Sequence, residues 1–186
     1  VDDVAFISDL IDALQATYNI DPQRIYSTGM SNGGFMSYTL ACELNDRIAA
    51  IASVTGSMIG PNLAACNPQR PVPVMEIHGT ADNTVPYNGS ILSGFVSIPT
   101  LVDAWVGFNN CAPTPVLTNV PNTNTGDGCT AERYLYPNGD AGSTVEHYKI
   151  IGGGHTWPGT AFVIGVTNQD FRASQEVEQE LRLEEV

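Results

Sequence analysis

The sequence predicts an α/β fold, with a mostly parallel sheet covered by helices on both faces. Short apolar runs alternate with segments of helical periodicity along the whole chain, which is typical of strands connected by helices. The length of 186 residues and the 42% hydrophobic content fit one domain with a substantial core. We therefore interpret residues 1–186 as a single domain.

The elements follow in order along the chain. Val4, Ile7 and Leu14 repeat at helical spacing with three further apolar residues, which predicts an amphipathic helix over 2–18. Asp21-Pro22 breaks that helix before a strand at 24–28. The remaining predicted elements are a helix at 34–44, strands at 49–54 and 72–77 with a loop at 62–71 between them, a helix at 98–109, a strand at 145–151 and a closing helix at 170–182.

The charge balance limits the partners of the protein. Seven basic residues stand against twenty acidic ones, giving a net charge of −13. An acidic surface repels nucleic acids and anionic membranes, so we expect neither as a partner. No apolar run of the sequence approaches the length that spans a membrane.

The four cysteines predict two disulfide bonds. None of them forms a CxxC pattern, which argues against a metal or redox site. We favour Cys42–Cys66 and Cys111–Cys129, because each pair would join the end of an element to a nearby polar loop. Two bridges indicate an oxidising compartment, so the protein is expected to be secreted or periplasmic. The alternative is four buried free thiols.

No cofactor and no metal are expected from the sequence. The segment 122–127 loosely resembles a calcium-binding loop, since it is rich in Asn, Thr and Asp. It lacks the downstream carboxylate that such a loop uses to complete its ligand set. The acidic surface is compatible with a neutral substrate.

Gly29-Met30-Ser31-Asn32-Gly33 is the most informative motif of the chain. The pattern GxSxG is typical of a nucleophile elbow, a tight turn from a strand into a helix that exposes a serine hydroxyl. A serine in such a strained conformation needs neighbours without a Cβ atom, which explains Gly29 and Gly33. Alone, the motif is also compatible with an ordinary Gly-Ser turn.

Two further predicted strands end next to an acid and a base. Asp82 lies just past the 72–77 strand, and His155 lies between glycines just past the 145–151 strand. Chemistry in parallel sheets gathers beyond the carboxyl ends of the strands, so Ser31, Asp82 and His155 are expected to meet there. The alternatives are weaker: His78 suits packing or hydrogen bonding, His147 a sheet face, Asp103 a helix, and Asp127 and Asp140 loops.

Four segments carry a family resemblance: residues 2–7, GMSNGG at 29–34, IHGTADNTVPY at 77–87 and GGGHTWPG at 152–159. Together they resemble the polyhydroxybutyrate depolymerase and feruloyl/acetylxylan esterase group of α/β-hydrolases over roughly residues 2–177. The resemblance implies the α/β-hydrolase fold, with Ser31 as nucleophile, Asp82 as acid and His155 as base. It also implies that Trp157 lines the substrate cleft, although packing under the glycine loop is an alternative.

The chain departs from that family at its beginning. Family members carry several strands and an HG-containing loop upstream of the position that corresponds to Val1. That loop supplies one backbone N–H group for the oxyanion, and the residue after the nucleophile, here Asn32, supplies the other. We therefore expect an N-terminally truncated, partial catalytic domain with a missing N-terminal segment.

These observations predict a serine esterase that acts through an acyl-enzyme on Ser31. Small esters, feruloyl or acetyl groups on plant polysaccharides, and hydroxyalkanoate polyesters all suit the resemblance, so we expect the partner to be an ester substrate, either small or polymeric. One alternative is a serine peptidase on the same scaffold. Another is an inactive hydrolase remnant that serves as a polymer- or carbohydrate-binding module.

Overall fold

A computed structural model describes residues 2–183, so Val1 and residues 184–186 of the predicted domain lie outside the described part. The described chain alternates strands and helices for most of its length. Its elements are α1 (Asp3–Thr17), β1 (Tyr26–Met30), α2 (Asn32–Glu43), β2 (Ala50–Val54), α3 (Gly60–Ala65), β3 (Val74–Gly79), α4 (Ile98–Phe108), β4 (Val116–Asn119), β5 (Thr130–Tyr136), β6 (Val145–Ile151) and α5 (Ala173–Leu183).

The strands form one six-stranded sheet in the order β1-β2-β3-β6-β5-β4. The strands β1, β2, β3 and β6 pair in parallel. β5 pairs antiparallel with β6, and β4 pairs antiparallel with β5. The predicted mostly parallel sheet is therefore confirmed. Strict alternation of strands and helices is wrong for residues 116–136, where two consecutive strands form an antiparallel extension.

Helices cover both faces of the sheet. On one face, Tyr38 of α2 and Trp105 of α4 are fully buried in a cluster that also includes Ile11 of α1. On the other face, Phe171 and Val177, just before and within α5, pack against apolar residues of the central strands. Within residues 2–183, no helix is both long and apolar enough to cross a lipid bilayer.

Several predicted boundaries shift by two residues in the structure. β1 and β3 each begin and end two residues later than predicted, at 26–30 and 74–79. Both strands end at a glycine or directly after one, and backbone pairing continues through those positions because β1 and β2 stay in register up to Met30 and Val54. A short helix, α3, occupies part of the predicted loop at 62–71, with Pro61 in its first turn, where the absent N–H group is tolerated.

One of the two predicted disulfides is present. Cys42, near the end of α2, is bonded to Cys66 at the end of α3. The predicted Cys111–Cys129 bridge is wrong, since both cysteines are buried free thiols. Their positions explain why. The Cys111 thiol lies against the Ser143 carbonyl before β6, whereas Cys129 precedes Thr130, which pairs with the last residue of β6, roughly 20 Å along the strand and far beyond the reach of a disulfide.

Candidate active site

The carboxyl ends of the parallel strands lie at one edge of the sheet, and the three residues singled out by sequence follow them. Ser31 comes directly after β1, Asp82 lies three residues after β3, and His155 lies four residues after β6. Backbone hydrogen bonds connect these strand ends. The N–H of Ser31 donates to the carbonyl of Val54 at 2.8 Å, which ties the serine to the end of β2.

The loops that carry the acid and the base are bonded to each other. The N–H of Thr80 donates to the Ile150 carbonyl at 2.8 Å, and the N–H of Ala81 donates to the Gly153 carbonyl at 2.9 Å. The Thr80 hydroxyl in turn accepts from the Gly152 N–H at 2.9 Å. The backbone thus holds the segment leading to Asp82 against the segment leading to His155.

Ser31 has the strained backbone expected of an elbow. Its φ of 55° and ψ of −118° lie outside the regions that a non-glycine residue prefers. A Cβ atom on Gly29 would come within 2.6 Å of the Gly33 carbonyl carbon, so the turn requires glycine at position 29. The steric argument for Gly33 is wrong, because a Cβ there would meet nothing within 4 Å.

Asp82 and His155 form a direct pair. The His155 Nδ1 and the Asp82 Oδ2 are 2.7 Å apart, with the carboxylate side chain fully buried and the imidazole 20% exposed. An ionised carboxylate can only accept, so Nδ1 carries the proton and Nε2 is left as the basic nitrogen. This is the arrangement in which an imidazole can take a proton from an alcohol.

The other contacts of Asp82 hold it in its ionised form. Its Oδ1 accepts from the backbone N–H groups of Thr84 at 2.8 Å and Val85 at 2.9 Å. Burial raises the pKa of the Asp82 carboxyl, but hydrogen bonds from His78, His155 and these two amides outweigh it and leave the pKa below its ordinary value. The carboxylate is therefore charged at neutral pH.

Ser31 is not bonded to His155 in the structure. Among residues 2–183, no hydrogen bond joins the two side chains. The serine hydroxyl is half-buried at the start of α2. The geometry thus brings two of the three predicted residues into direct contact and places the third at the same edge of the sheet, after β1, which β2 separates from β3. Such hydrogen bonds are often long in enzymes without substrate.

The two accessory residues differ in their surroundings. Asn32 is the first residue of α2, where backbone N–H groups have no acceptor within the helix and are free to bind an anion. Trp157 is partly buried against the α5 side of the core, and its Nε1 donates to the Ser174 hydroxyl at 3.1 Å. These contacts of Trp157 are packing contacts, so a role in the substrate cleft stays a prediction.

Sequence reasoning expected packing or hydrogen bonding for His78 but did not identify Glu76 and Tyr38 as members of the same buried group. His78 and Glu76, both on β3, are completely buried and lie 2.8 Å apart from Nδ1 to Oε1. The Tyr38 hydroxyl donates to the Glu76 Oε2 at 2.8 Å. The signal was present in the sequence, since a glutamate inside the apolar run 72–77 needs a partner when buried.

The carboxylates near the segment 122–127 are occupied by protein groups. Asp170 accepts from the backbone N–H groups of Thr123 and Asn124, both at 2.8 Å, and Asp127 accepts from the N–H of Gln169 at 2.8 Å. Across the described chain, no group of three potential ligands is placed to hold a metal ion. These carboxylates fasten the loop 121–129 to residues 168–170.

The mixed sheet, the elbow and the paired acid and base define an α/β-hydrolase. The chain belongs to the phospholipase/carboxylesterase family, whose model matches residues 2–97. Members of this family are carboxylic ester hydrolases. The first half of the chain, which carries the elbow and Asp82, is thus the part that defines the family.

Named relatives of the chain are esterases. It is 31% identical to NocK of Nocardia uniformis subsp. tsuyamanensis, which is named as an esterase, over 90% of this chain and 53% of that protein. It is 35% identical to feruloyl esterase B of Piromyces equi over 83% of this chain and 29% of that protein. It is 32% identical to the bifunctional acetylxylan esterase/xylanase XynS20E of Neocallimastix patriciarum over 83% of this chain and 21% of that protein.

A solved structure has a similar fold. The acetyl xylan esterase from Aspergillus awamori matches with a TM-score of 0.57 over 82% of this chain and 62% of that chain, at 17% identity. At this identity the likeness concerns the fold alone. The chain spans about half the length of NocK and less than a third of the other two relatives.

Proposed function

We propose that this chain carries the catalytic residues of a serine esterase, with Ser31 as nucleophile, His155 as general base and Asp82 as the acid that orients it. The observation that carries the proposal is the 2.7 Å contact between His155 Nδ1 and the ionised Asp82. It supports an imidazole with a basic Nε2, at the same edge of the sheet as the strained elbow that carries Ser31.

Acylation begins when Ser31 Oγ attacks the carbonyl carbon of an ester while His155 Nε2 takes the hydroxyl proton. The carbonyl oxygen becomes an oxyanion, and the N–H of Asn32 donates to it. The bond to the leaving alkoxide then breaks, and the imidazolium returns its proton to that oxygen. An alcohol departs, and the acyl group stays on Ser31 as an ester.

Deacylation repeats the sequence with water. His155 Nε2 removes a proton from the water as its oxygen attacks the acyl carbon, and the collapse of the intermediate expels Ser31 Oγ, which recovers the proton. Throughout both halves Asp82 stays ionised and stabilises the imidazolium. The net reaction consumes one water and releases one carboxylic acid and one alcohol.

Short-chain esters, feruloyl or acetyl esters of plant polysaccharide and hydroxyalkanoate polyesters are the proposed substrates. The names of the relatives, feruloyl esterase and acetylxylan esterase, support the second group. A net charge of −13 favours neutral esters over anionic ones. The Cys42–Cys66 bridge supports an oxidising compartment, so we propose a secreted or periplasmic protein.

A fluorophosphonate probe tests the proposal. We expect stoichiometric labelling of the wild-type chain at Ser31, located by peptide mass, and no labelling of Ser31→Ala. His155→Ala should slow labelling by a factor on the order of 10³ or more, because the base is removed. Turnover of p-nitrophenyl acetate, methyl ferulate and a hydroxybutyrate oligomer then ranks the substrate classes.

The same experiment separates the alternatives. A folded chain that shows no labelling and no turnover would contradict the esterase proposal and favour a remnant that only binds polymer. Labelling accompanied by hydrolysis of peptide amides but not of esters would favour a peptidase. Circular dichroism confirms that each variant keeps the fold.

A further inference from the structure

A chain of buried hydrogen bonds, completed by one ion-pair contact, leads from the core to the candidate acid. It begins at Tyr38 of α2, passes through Glu76 and His78 of β3, and ends at Asp82. All three core side chains in it are fully buried. Burying polar groups costs free energy unless each group is paired. The proposed reaction does not use these groups directly, so the question is what role they have.

The acceptors around His78 define its protonation. Its Nε2 lies 2.9 Å from the Val85 carbonyl, which can only accept, so this nitrogen carries a proton. Its Nδ1 faces the Glu76 Oε1 at 2.8 Å, and Nε2 also lies 3.4 Å from the Asp82 Oδ2. An imidazole between two carboxylates, with a carbonyl on one nitrogen, is best satisfied as a doubly protonated cation.

The same Asp82 oxygen faces both histidines. Oδ2 is 2.7 Å from His155 Nδ1 and 3.4 Å from His78 Nε2. Meanwhile His78 binds the Val85 carbonyl, and the Val85 N–H binds Asp82 Oδ1. The buried imidazole therefore helps to hold the turn 82–85 against β3, together with the Asp82 N–H, which donates to the Gly79 carbonyl at 3.3 Å.

We propose that His78 is a positioning residue of the esterase site, an imidazolium that Glu76 anchors and that fixes the Asp82 carboxylate in the orientation His155 needs. The proposal rests on the proposed function of Asp82 and His155.

The electrostatic surroundings of His78 are consistent with this charge. Burial lowers the pKa of His78, but hydrogen bonds to Asp82 and Glu76 outweigh it and raise the pKa to about 9. Burial lowers the pKa of the neighbouring His147 to about 4, with His78 adding to that direction. The titratable groups that face or neighbour His78 are Glu76, Asp82 and Tyr87 from β3 and the loop after it, Tyr38 from α2 through Glu76, and His147, Lys149 and His155 from β6 and its loop.

His78→Gln is the test variant, and His147→Gln is its matched control. His147 is also a buried histidine beside Glu76, bonding the Glu76 carbonyl at 3.0 Å and the Tyr87 hydroxyl at 3.0 Å, but it makes no bond to Asp82. For His78→Gln we expect kcat to fall by roughly tenfold or more with KM within about twofold, since orientation and not binding is impaired.

The control should keep the kcat of the wild type. If His78→Gln and His147→Gln have the same kcat, His78 only packs the core and the proposal is overturned. A change in KM alone would also overturn it.

A spectroscopic measurement needs no activity. The chain has only three histidines, so the imidazole nitrogens can be assigned in the wild-type protein by nuclear magnetic resonance. We expect both His78 nitrogens to be protonated at pH 7, and the deshielded His155 Nδ1–H signal to shift in His78→Gln and to stay in place in His147→Gln. A neutral His78 at pH 7 overturns the proposal even if His78→Gln fails to fold.

These measurements keep the two proposals apart. If the wild-type chain neither hydrolyses esters nor reacts with the fluorophosphonate, the esterase proposal fails. The state of His78 and the response of the His155 signal then still show whether His78 positions the Asp82–His155 pair.

Discussion

Asp82 combines three tasks in one side chain. Its Oδ1 accepts hydrogen bonds from the N–H groups of Thr84 and Val85 in its own turn. Its Oδ2 pairs with His155 and lies near His78. The division between the two oxygens matters, because one serves local structure and the other serves the proposed chemistry. A substitution that preserves Oδ1 but changes Oδ2 can therefore test the chemistry without disturbing the turn.

Asp82→Asn is that substitution. The amide oxygen can still accept from Thr84 and Val85, while the amide nitrogen donates toward His155 and forces its proton onto Nε2. We expect kcat for p-nitrophenyl acetate to fall by about 10⁴-fold while the thermal unfolding midpoint changes by only a few degrees. An unchanged kcat would contradict the role of Asp82 as the orienting acid.

At the scale of elements, the turn from β1 into α2 depends on a close approach of two backbone segments. A Cβ on Gly29 would collide with the Gly33 backbone, whereas a Cβ on Gly33 would enter open space. The two glycines of one motif thus differ sharply in what they tolerate.

Gly29→Ala and Gly33→Ala form a matched pair. We expect Gly29→Ala to lower the free energy of unfolding by about 2 kcal/mol or more, because the collision is with backbone that cannot rotate away. Gly33→Ala should be neutral or stabilising by up to about 1 kcal/mol, because alanine is the better helix former. Urea denaturation followed by circular dichroism measures both, and equal losses would contradict the steric account.

The disulfide joins two helices of the same face. Cys42 near the end of α2 is bonded to Cys66, 24 residues further along the chain. Replacing both cysteines by alanine should lower the free energy of unfolding by about 3 kcal/mol, since a loop of this size regains its freedom in the unfolded chain. A reducing agent should lower the free energy of unfolding of the wild type to a similar degree and leave that of the double variant unchanged. A wild type that is insensitive to complete reduction would contradict this prediction.

The central strands β2 and β3 could be predicted because they lie in mainly apolar runs bounded by clear breakers. β4 could not, since its four residues are all exposed and carry no burial pattern. β5 was predictable in principle, as Thr130–Tyr136 is rich in aromatic and β-branched residues between Gly128 and Pro137. We interpreted the residues before β5 as a loop and did not recognise the strand that follows them. The prediction of a Cys111–Cys129 bridge rested on the same interpretation.

The candidate site shows a similar division. GxSxG and the glycine-flanked His155 are local patterns that can be recognised in sequence. The partners of His78 and Glu76 come from α2 and from the turn at 82–85, so only the packed structure brings them together. Buried polar networks of this kind are long-range contacts without a local spacing rule.

At the scale of the whole molecule, two buried histidines with opposite pKa shifts make opposite contributions to the pH dependence of stability. The pKa of His147 is lowered from 6.5 to about 4, so the unfolded chain takes up a proton first as pH falls, and stability is lost between about 6.5 and 4. The pKa of His78 is raised from 6.5 to about 9, so its contribution is complete below 6.5 and is lost as pH rises toward 9.

We therefore expect the free energy of unfolding to peak near pH 6.5, with each histidine contributing a slope of up to about 1.4 kcal/mol per pH unit on its own side. In a plot of the free energy of unfolding against pH, His147→Gln should reduce the slope below the maximum and His78→Gln the slope above it. Urea titrations from pH 5 to 9 measure both slopes. Parallel curves for the wild type and both variants would show that neither histidine is perturbed by the fold.

Cys111 and Cys129 form no disulfide and lie near opposite ends of β6, so each can report local opening at its own end of the strand. Burial raises the pKa of the Cys129 thiol to about 11 and raises that of Cys111 as well, which suppresses the thiolate that alkylating reagents attack. Timed trapping with iodoacetamide, read by peptide mass, would therefore record when each end of the strand detaches. Cys129 lies at the edge of the sheet that also carries Ser31 and His155, so it should react when that edge opens. Cys111 lies at the opposite end of β6 and should react only when that end opens.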